Sequence, residues 1–226
     1  MAERDDKSSM SVQPSNSRSS WRVLLIGGSS GVGKTMVARD LARHLGISVL
    51  LADDLRMAIQ QVTMPGEQPG IHYFLAHPTI WQKPPEALCE GFIAVAQAMQ
   101  RPLSATIAHH LYVESAGPVI IEGDGILPAL AALRSFPTMH FPNAPLTDAV
   151  RAVFLVEPDE EALLSTLRQR GRGFGDFSHK EQETFARGSW LYGQWLRRQA
   201  APYDLPVIAP RPRENLAERV LQAIEK

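Results

Sequence analysis

Gly28, four intervening residues and then Gly33-Lys34-Thr35 set a pliable turn directly ahead of an ammonium and a hydroxyl. That spacing suits phosphate chemistry. Glycines allow successive backbone N–H groups to turn inward on an anion without side-chain clash, so the stretch Gly28-Ser29-Ser30-Gly31-Val32-Gly33 is expected to cradle phosphates. Lys34 then reaches the β- and γ-phosphates of a nucleotide, and Thr35 offers its hydroxyl to Mg²⁺. A helix starting at this point adds the partial positive charge of its N-terminus.

Two acidic clusters follow apolar runs of strand length. Ile47 to Leu51 ends in Ala52-Asp53-Asp54-Leu55-Arg56, and Val119 to Ile121 ends in Glu122-Gly123-Asp124. Ligands of an open parallel sheet lie beyond the carboxyl ends of its strands, so both clusters are expected to face the cradle. Glu122 then holds Mg²⁺ opposite Thr35. Asp53 accepts the proton of a substrate hydroxyl, with Asp54 capping the helix Leu55 to Val62. Asp124 either faces substrate or caps the next helix. In Arg168-Gln169-Arg170-Gly171-Arg172-Gly173 the arginines alternate near glycines, which gives a cationic segment able to grip triphosphate; capping of a helix C-terminus is the alternative.

These groups need a scaffold, and the hydrophobic pattern supplies one. Arg22 to Ile26 reads as a buried strand, and Val37, Leu41 and Leu45 recur at helical spacing before Gly46, which sits where a C-cap belongs. Thr63 to Pro85 is punctuated by Pro and Gly and reads as a loop or lid, with Tyr73 and Trp81 as candidates for touching substrate. Helices are expected over Glu86 to Gln100, Ser104 to Glu114, Pro128 to Arg134, from Pro158, over Ser178 to Arg198 and over Asn215 to Glu225. Val150 to Val156 and Leu205 to Ala209 complete five strands. Adjacent His109 and His110 point to different helix faces and do not form a metal pair.

Composition narrows the function classes. The chain has 226 residues, 44% hydrophobic and 21% charged, with a formal net charge of −1, enough for one substantial core and without the basic field that draws nucleic acid. Cys89 is the one cysteine, which excludes an intrachain disulfide, and no apolar run approaches a membrane span. A cytoplasmic protein acting on a small molecule, with no nucleic-acid or membrane partner, is expected; a homodimer is compatible with this composition. Residues 1–20 carry seven serines and almost no apolar side chain, as a disordered tail would.

The order of these elements is similar to that of the nucleoside-monophosphate-kinase-like P-loop kinases over residues 21–226. Ile26 to Thr35, Asp53 with Arg56, and Ile120-Ile121-Glu122-Gly123 with Pro128 more narrowly resemble the 2-phosphoglycerate kinase family. The resemblance implies one α/β domain of the P-loop NTPase fold: a five-stranded parallel sheet flanked by helices, a helical and loop substrate-binding insertion over 63–115, and an arginine lid over 168–178. It implies ATP and Mg²⁺ as cofactors and γ-phosphoryl transfer to a small-molecule hydroxyl, with Lys34, Asp53 and Arg172 catalytic. In the lid pattern Arg168 lies against adenine and Arg172 grips phosphates. Asp53, Arg56 and Asp124 fall on the substrate side. Asp54 and Asp124 depart from that family, which has serine and Val-His there. Extra carboxylates repel a doubly anionic acceptor and favour a neutral or cationic alcohol. A nucleotide-dependent ATPase or switch is the competing class, but no Asn-Lys-x-Asp motif of a GTPase is present.

Overall fold

Six consecutive buried residues, Val23–Gly28, form the central strand β1 of the computed structural model, which describes residues 21–170 and 174–225. A strand covered on both faces has no solvent side, which is why the run Val-Leu-Leu-Ile does not alternate with polar residues. β3 (Val119–Gly123) pairs with it in parallel on one side and β4 (Val150–Leu155) on the other. β2 (Ser48–Leu51) lies beyond β3, and β5 (Val207–Ile208) beyond β4, giving the parallel order β2-β3-β1-β4-β5. The expected five-stranded parallel sheet is therefore the fold. Register sets both Ile26 and Leu51 level with Glu122, so the chain leaving β1, β2 and β3 opens into one crevice.

Successive β1 side chains feed opposite cores. Val23 and Leu25 join Leu103, Ile107 and Tyr192 on one face, and Leu24 and Ile26 join Val37, Leu41, Leu163 and Val220 on the other. The helices covering the sheet are α1 (Lys34–Leu45), α2 (Ala52–Val62), α3 (Tyr73–Ala76), α4 (Pro85–Ala98), α5 (Gln100–Tyr112), α6 (Pro128–Ala131), α7 (Glu160–Arg170), α8 (His179–Ala200) and α9 (Leu216–Ile224). Truncating a fully buried leucine such as Leu25 to alanine should cost about 2–5 kcal/mol. Gly46 closes α1 in the left-handed region with φ 67°, donating its N–H to the Ala42 carbonyl. Asp159 caps α7 by accepting from the N–H groups of Glu161 and Ala162.

Four expectations about local structure are corrected. Helix α2 starts at Ala52, not Leu55; its N-cap is Leu51, and Asp53 and Asp54 lie in the first turn, where the dipole favours acids. Helix α5 starts at Gln100 and carries Pro102 in its first turn, where a missing N–H costs no intrahelical bond. The segment from Thr63 to Pro85 is not an open loop. It folds into α3 and a 3₁₀ turn, Ile80–Gln82, pinned by buried Ile71, His72 and Ile80. Helix α6 is also shorter than expected, ending at Ala131. No helix among the described residues is long and apolar enough to cross a membrane. The serine-rich stretch 1–20 and residues 171–173, including Arg172, lie outside the described residues.

Candidate active site

The turn from β1 into α1 tolerates only glycine at two points that matter. Gly28 has φ 146°, and a Cβ there would stand 2.4 Å from the Leu155 carbonyl oxygen, far inside contact distance. Gly33, immediately before the helix, has φ 88°. The turn brings Lys34 back under the loop, 7% exposed, where Nζ donates to the Ser29 carbonyl at 2.8 Å. A buried ammonium also needs a counter-charge. Asp124 supplies it: its Oδ1 lies 2.5 Å from Nζ, and its Oδ2 accepts from the Ser30 hydroxyl at 2.8 Å. Asp124 thus lies against the phosphate loop, and the N-cap position of the next helix is Leu127.

Thr35 donates its hydroxyl to Glu122 Oε1 at 2.6 Å, joining the first turn of α1 to the end of β3. Burial pushes the Glu122 carboxyl above the ordinary carboxylate range, against the pull of Lys34 and of the Thr35 hydrogen bond. A hydroxyl and a carboxylate fit Mg²⁺, which keeps several waters and takes phosphate oxygens rather than a full protein cage. The described residues contain no cluster of three or more His, Cys, Asp or Glu placed to hold a metal.

Two cavities lie on either side of the Lys34–Asp124 pair. The larger, about 670 Å³, runs from Gly31, Gly33 and Thr35 along α1 past Arg39 and Arg43 to Thr166, Gln169, Arg170 and Arg213. The smaller, about 280 Å³, is lined by the polar side chains of Ser30, Asp53, Arg56 and Asp124 and by the rings of Phe74, Trp81, Phe92 and Phe185, among others. Of the two acid clusters expected to face one crevice, Asp53 and Asp124 line this second cavity, whereas Asp54 and Glu122 do not. Asp53 and Arg56 form a pair at 3.3 Å on its rim.

Other expected residues divide. Trp81 lines the smaller cavity, whereas Tyr73 packs on His77 and against Gly91 and does not. Asp54 is exposed and lines neither cavity. Arg168 turns toward α8, with Nε donating to Gln182 Oε1 at 3.0 Å and a guanidinium nitrogen 3.8 Å from Glu183; Arg170 is the described arginine of that segment that lines the larger cavity. Sequence reasoning missed Arg39, Arg43 and Arg213. The first two were signalled by their spacing of four from Thr35, which puts all three on one helix face; Arg213 follows a strand of two residues and had no such signal.

A family model described as isopentenyl transferase matches residues 21–172. No curated protein matches the chain. Among solved structures, it is similar to a shikimate kinase from Acinetobacter baumannii in complex with shikimate, at 18% identity and TM-score 0.46 over 91% of this chain and 93% of that one. A sugar kinase from a Janibacter species gives 18% identity and TM-score 0.48 over 91% and 95%. A gluconokinase from Sinorhizobium meliloti gives 14% identity and TM-score 0.47 over 90% and 91%.

Proposed function

We propose that this chain, which belongs to the isopentenyl transferase family, is a P-loop transferase that moves the γ-phosphoryl group of ATP to the hydroxyl of a small molecule. The observation carrying this reading is the pair of cavities divided by Lys34 and Asp124. The larger is nucleoside-sized and edged by Arg39, Arg43, Arg170 and Arg213, charges suited to a polyanion. The smaller presents Asp53 and Asp124 where an acceptor would meet the end of the triphosphate. On this reading the acceptor oxygen attacks the γ-phosphorus, the bond from that phosphorus to the bridging oxygen breaks, and ADP leaves. The hydroxyl proton passes to Asp53. Lys34 stabilises charge on the phosphate oxygens, and Arg172 is assigned the same task from sequence. Thr35 and Glu122 would hold Mg²⁺, which neutralises charge on the β- and γ-phosphates when bound.

A second reading, prenyl transfer, is favoured by the family match and by the apolar walls of the smaller cavity. The glycine-rich loop would then hold the diphosphate of a prenyl donor. Both readings place a polyanion against the cationic larger cavity; the phosphotransferase reading is preferred for the carboxylates Asp53 and Asp124, which suit a hydroxyl acceptor beside the phosphate loop. The resemblance to 2-phosphoglycerate kinases rests on motifs alone, and Asp124 at the acceptor cavity argues against so anionic a substrate. Incubation with Mg·ATP and a panel of small alcohols, reading ADP release, tests the proposal. A parallel incubation with a five-carbon prenyl diphosphate and a nucleotide, reading diphosphate release, tests its rival. Diphosphate release without acceptor-dependent ADP release would reverse the assignment.

A further inference from the structure

Resting on that reading, we infer that the acceptor is an amine-bearing alcohol carrying an aromatic ring. Four of the residues that line the smaller cavity form a closed circuit of rings. Phe74 and Trp81 are stacked at 5.6 Å, Trp81 and Phe185 lie 5.6 Å apart, Phe185 and Phe92 6.0 Å, and Phe92 and Phe74 5.2 Å. They arrive from α3, the 3₁₀ turn, α4 and α8, so the circuit exists only in the folded chain. Phe74, Phe92 and Phe185 pack against the two cores, yet all four rings are only partly buried and line the cavity. What they leave uncovered is an apolar wall matched to a flat or compact hydrophobic group.

Charge decides the rest of the acceptor. Asp53, Arg56 and Asp124 are the ionic side chains lining this cavity. Arg56 is matched by Asp53 at 3.3 Å, whereas Asp124 is matched by Lys34, the residue that must turn to the triphosphate. Once nucleotide is bound, the cavity keeps an unmatched carboxylate beside an anionic phosphoryl group. A protonated amine is attracted by both and by the ring faces; a carboxylate or phosphate on the acceptor is repelled. Tyr192 fixes the position of this charge, donating its buried hydroxyl to the Asp124 carbonyl at 2.5 Å.

Four matched probes test the inference by calorimetry in the presence of Mg²⁺ and a non-hydrolysable ATP analogue: 2-amino-1-phenylethanol, its uncharged isostere 1-phenyl-1,2-ethanediol, its anionic counterpart mandelate, and ethanolamine without the ring. The aryl amine should bind about tenfold tighter than the diol and than ethanolamine, with mandelate weakest. Trp81→Leu should weaken the aryl amine about tenfold, and Trp81→Phe should restore most of it. Equal binding of amine and diol, preference for mandelate, or binding of none of the four overturns the inference. The phosphotransferase reading is judged separately, by ADP release with ATP: the expected order of binding without ADP release sinks that reading and leaves the acceptor class standing.

Discussion

Lys34 and Asp124 form an ion pair of 2.5 Å across the boundary between the two cavities, so the residue that should grip phosphate is held by the carboxylate that should face the acceptor. Any polyanion entering the glycine-rich loop competes with Asp124 for that ammonium. Asp124→Asn should therefore tighten Mg·ATP binding about tenfold while lowering stability of the unliganded protein by ~1–3 kcal/mol, since Lys34 keeps only the Ser29 carbonyl. Titration calorimetry and thermal denaturation read the two effects. Weaker nucleotide binding by the variant would show that Asp124 helps to hold the phosphates and does not compete with them.

The Thr35–Glu122 contact predicts a metal phenotype distinct from a nucleotide phenotype. Glu122→Gln keeps the shape of the pair but removes the charge opposite the phosphates. The Mg²⁺ concentration giving half-maximal activity should rise about tenfold, with metal-free ATP binding changed little. An unaltered Mg²⁺ dependence would remove Glu122 from the metal site.

Much of this site was legible in the chain because it is local. Six residues of turn carry the backbone geometry of the cradle, and an acid at the end of an apolar run declares its own position once the sheet is parallel. The aromatic circuit was not legible, because its members are up to 111 positions apart in sequence, from Phe74 to Phe185, and meet only through tertiary packing. The start of α2 escaped for another reason: with Leu51 as N-cap, no capping side chain announces it, and two acids that are good caps sit inside the first turn. Pro102 misled similarly, since a proline in the first turn of a helix looks in sequence like one that precedes it.

Helix α8, which carries Phe185 to the smaller cavity, begins with a reciprocal cap. Glu181 N–H donates to the Ser178 hydroxyl at 3.3 Å, and the Glu181 carboxylate accepts from Ser178 O–H at 2.7 Å and N–H at 2.9 Å. Those bonds hold the Glu181 carboxyl below its ordinary value. The folded chain therefore takes up this proton at lower pH than the unfolded chain, so the contribution is complete above the ordinary glutamate range and fades as pH falls through the depressed folded value. The melting-temperature gap between the unmodified protein and Glu181→Gln should be constant from about pH 8 to 6 and narrow progressively as pH falls below the ordinary glutamate range. A gap that does not narrow at all on acidification would mean the carboxylate charge is irrelevant to the cap.

Asp53 and Asp54 are neighbours in one helical turn with the same chemistry and different surroundings, which makes them a controlled pair. Asp53 lines the smaller cavity and leans on Arg56, while Asp54 faces neither cavity. If Asp53 accepts the acceptor's proton, Asp53→Asn should lower kcat about 10²–10⁴-fold, the usual worth of general-base assistance, with nucleotide affinity nearly unchanged. Asp54→Asn should stay within a few-fold, because a solvated charge outside the cavity is screened from the reacting atoms. The split matters as much as the size. Loss of Arg56's partner alone would raise KM for the acceptor and spare kcat, whereas loss of a base lowers kcat at saturating acceptor. Steady-state kinetics on both variants, with the acceptor identified by ADP release, therefore separates a base from a rim charge; full kcat in Asp53→Asn would move the proton-accepting role to Asp124.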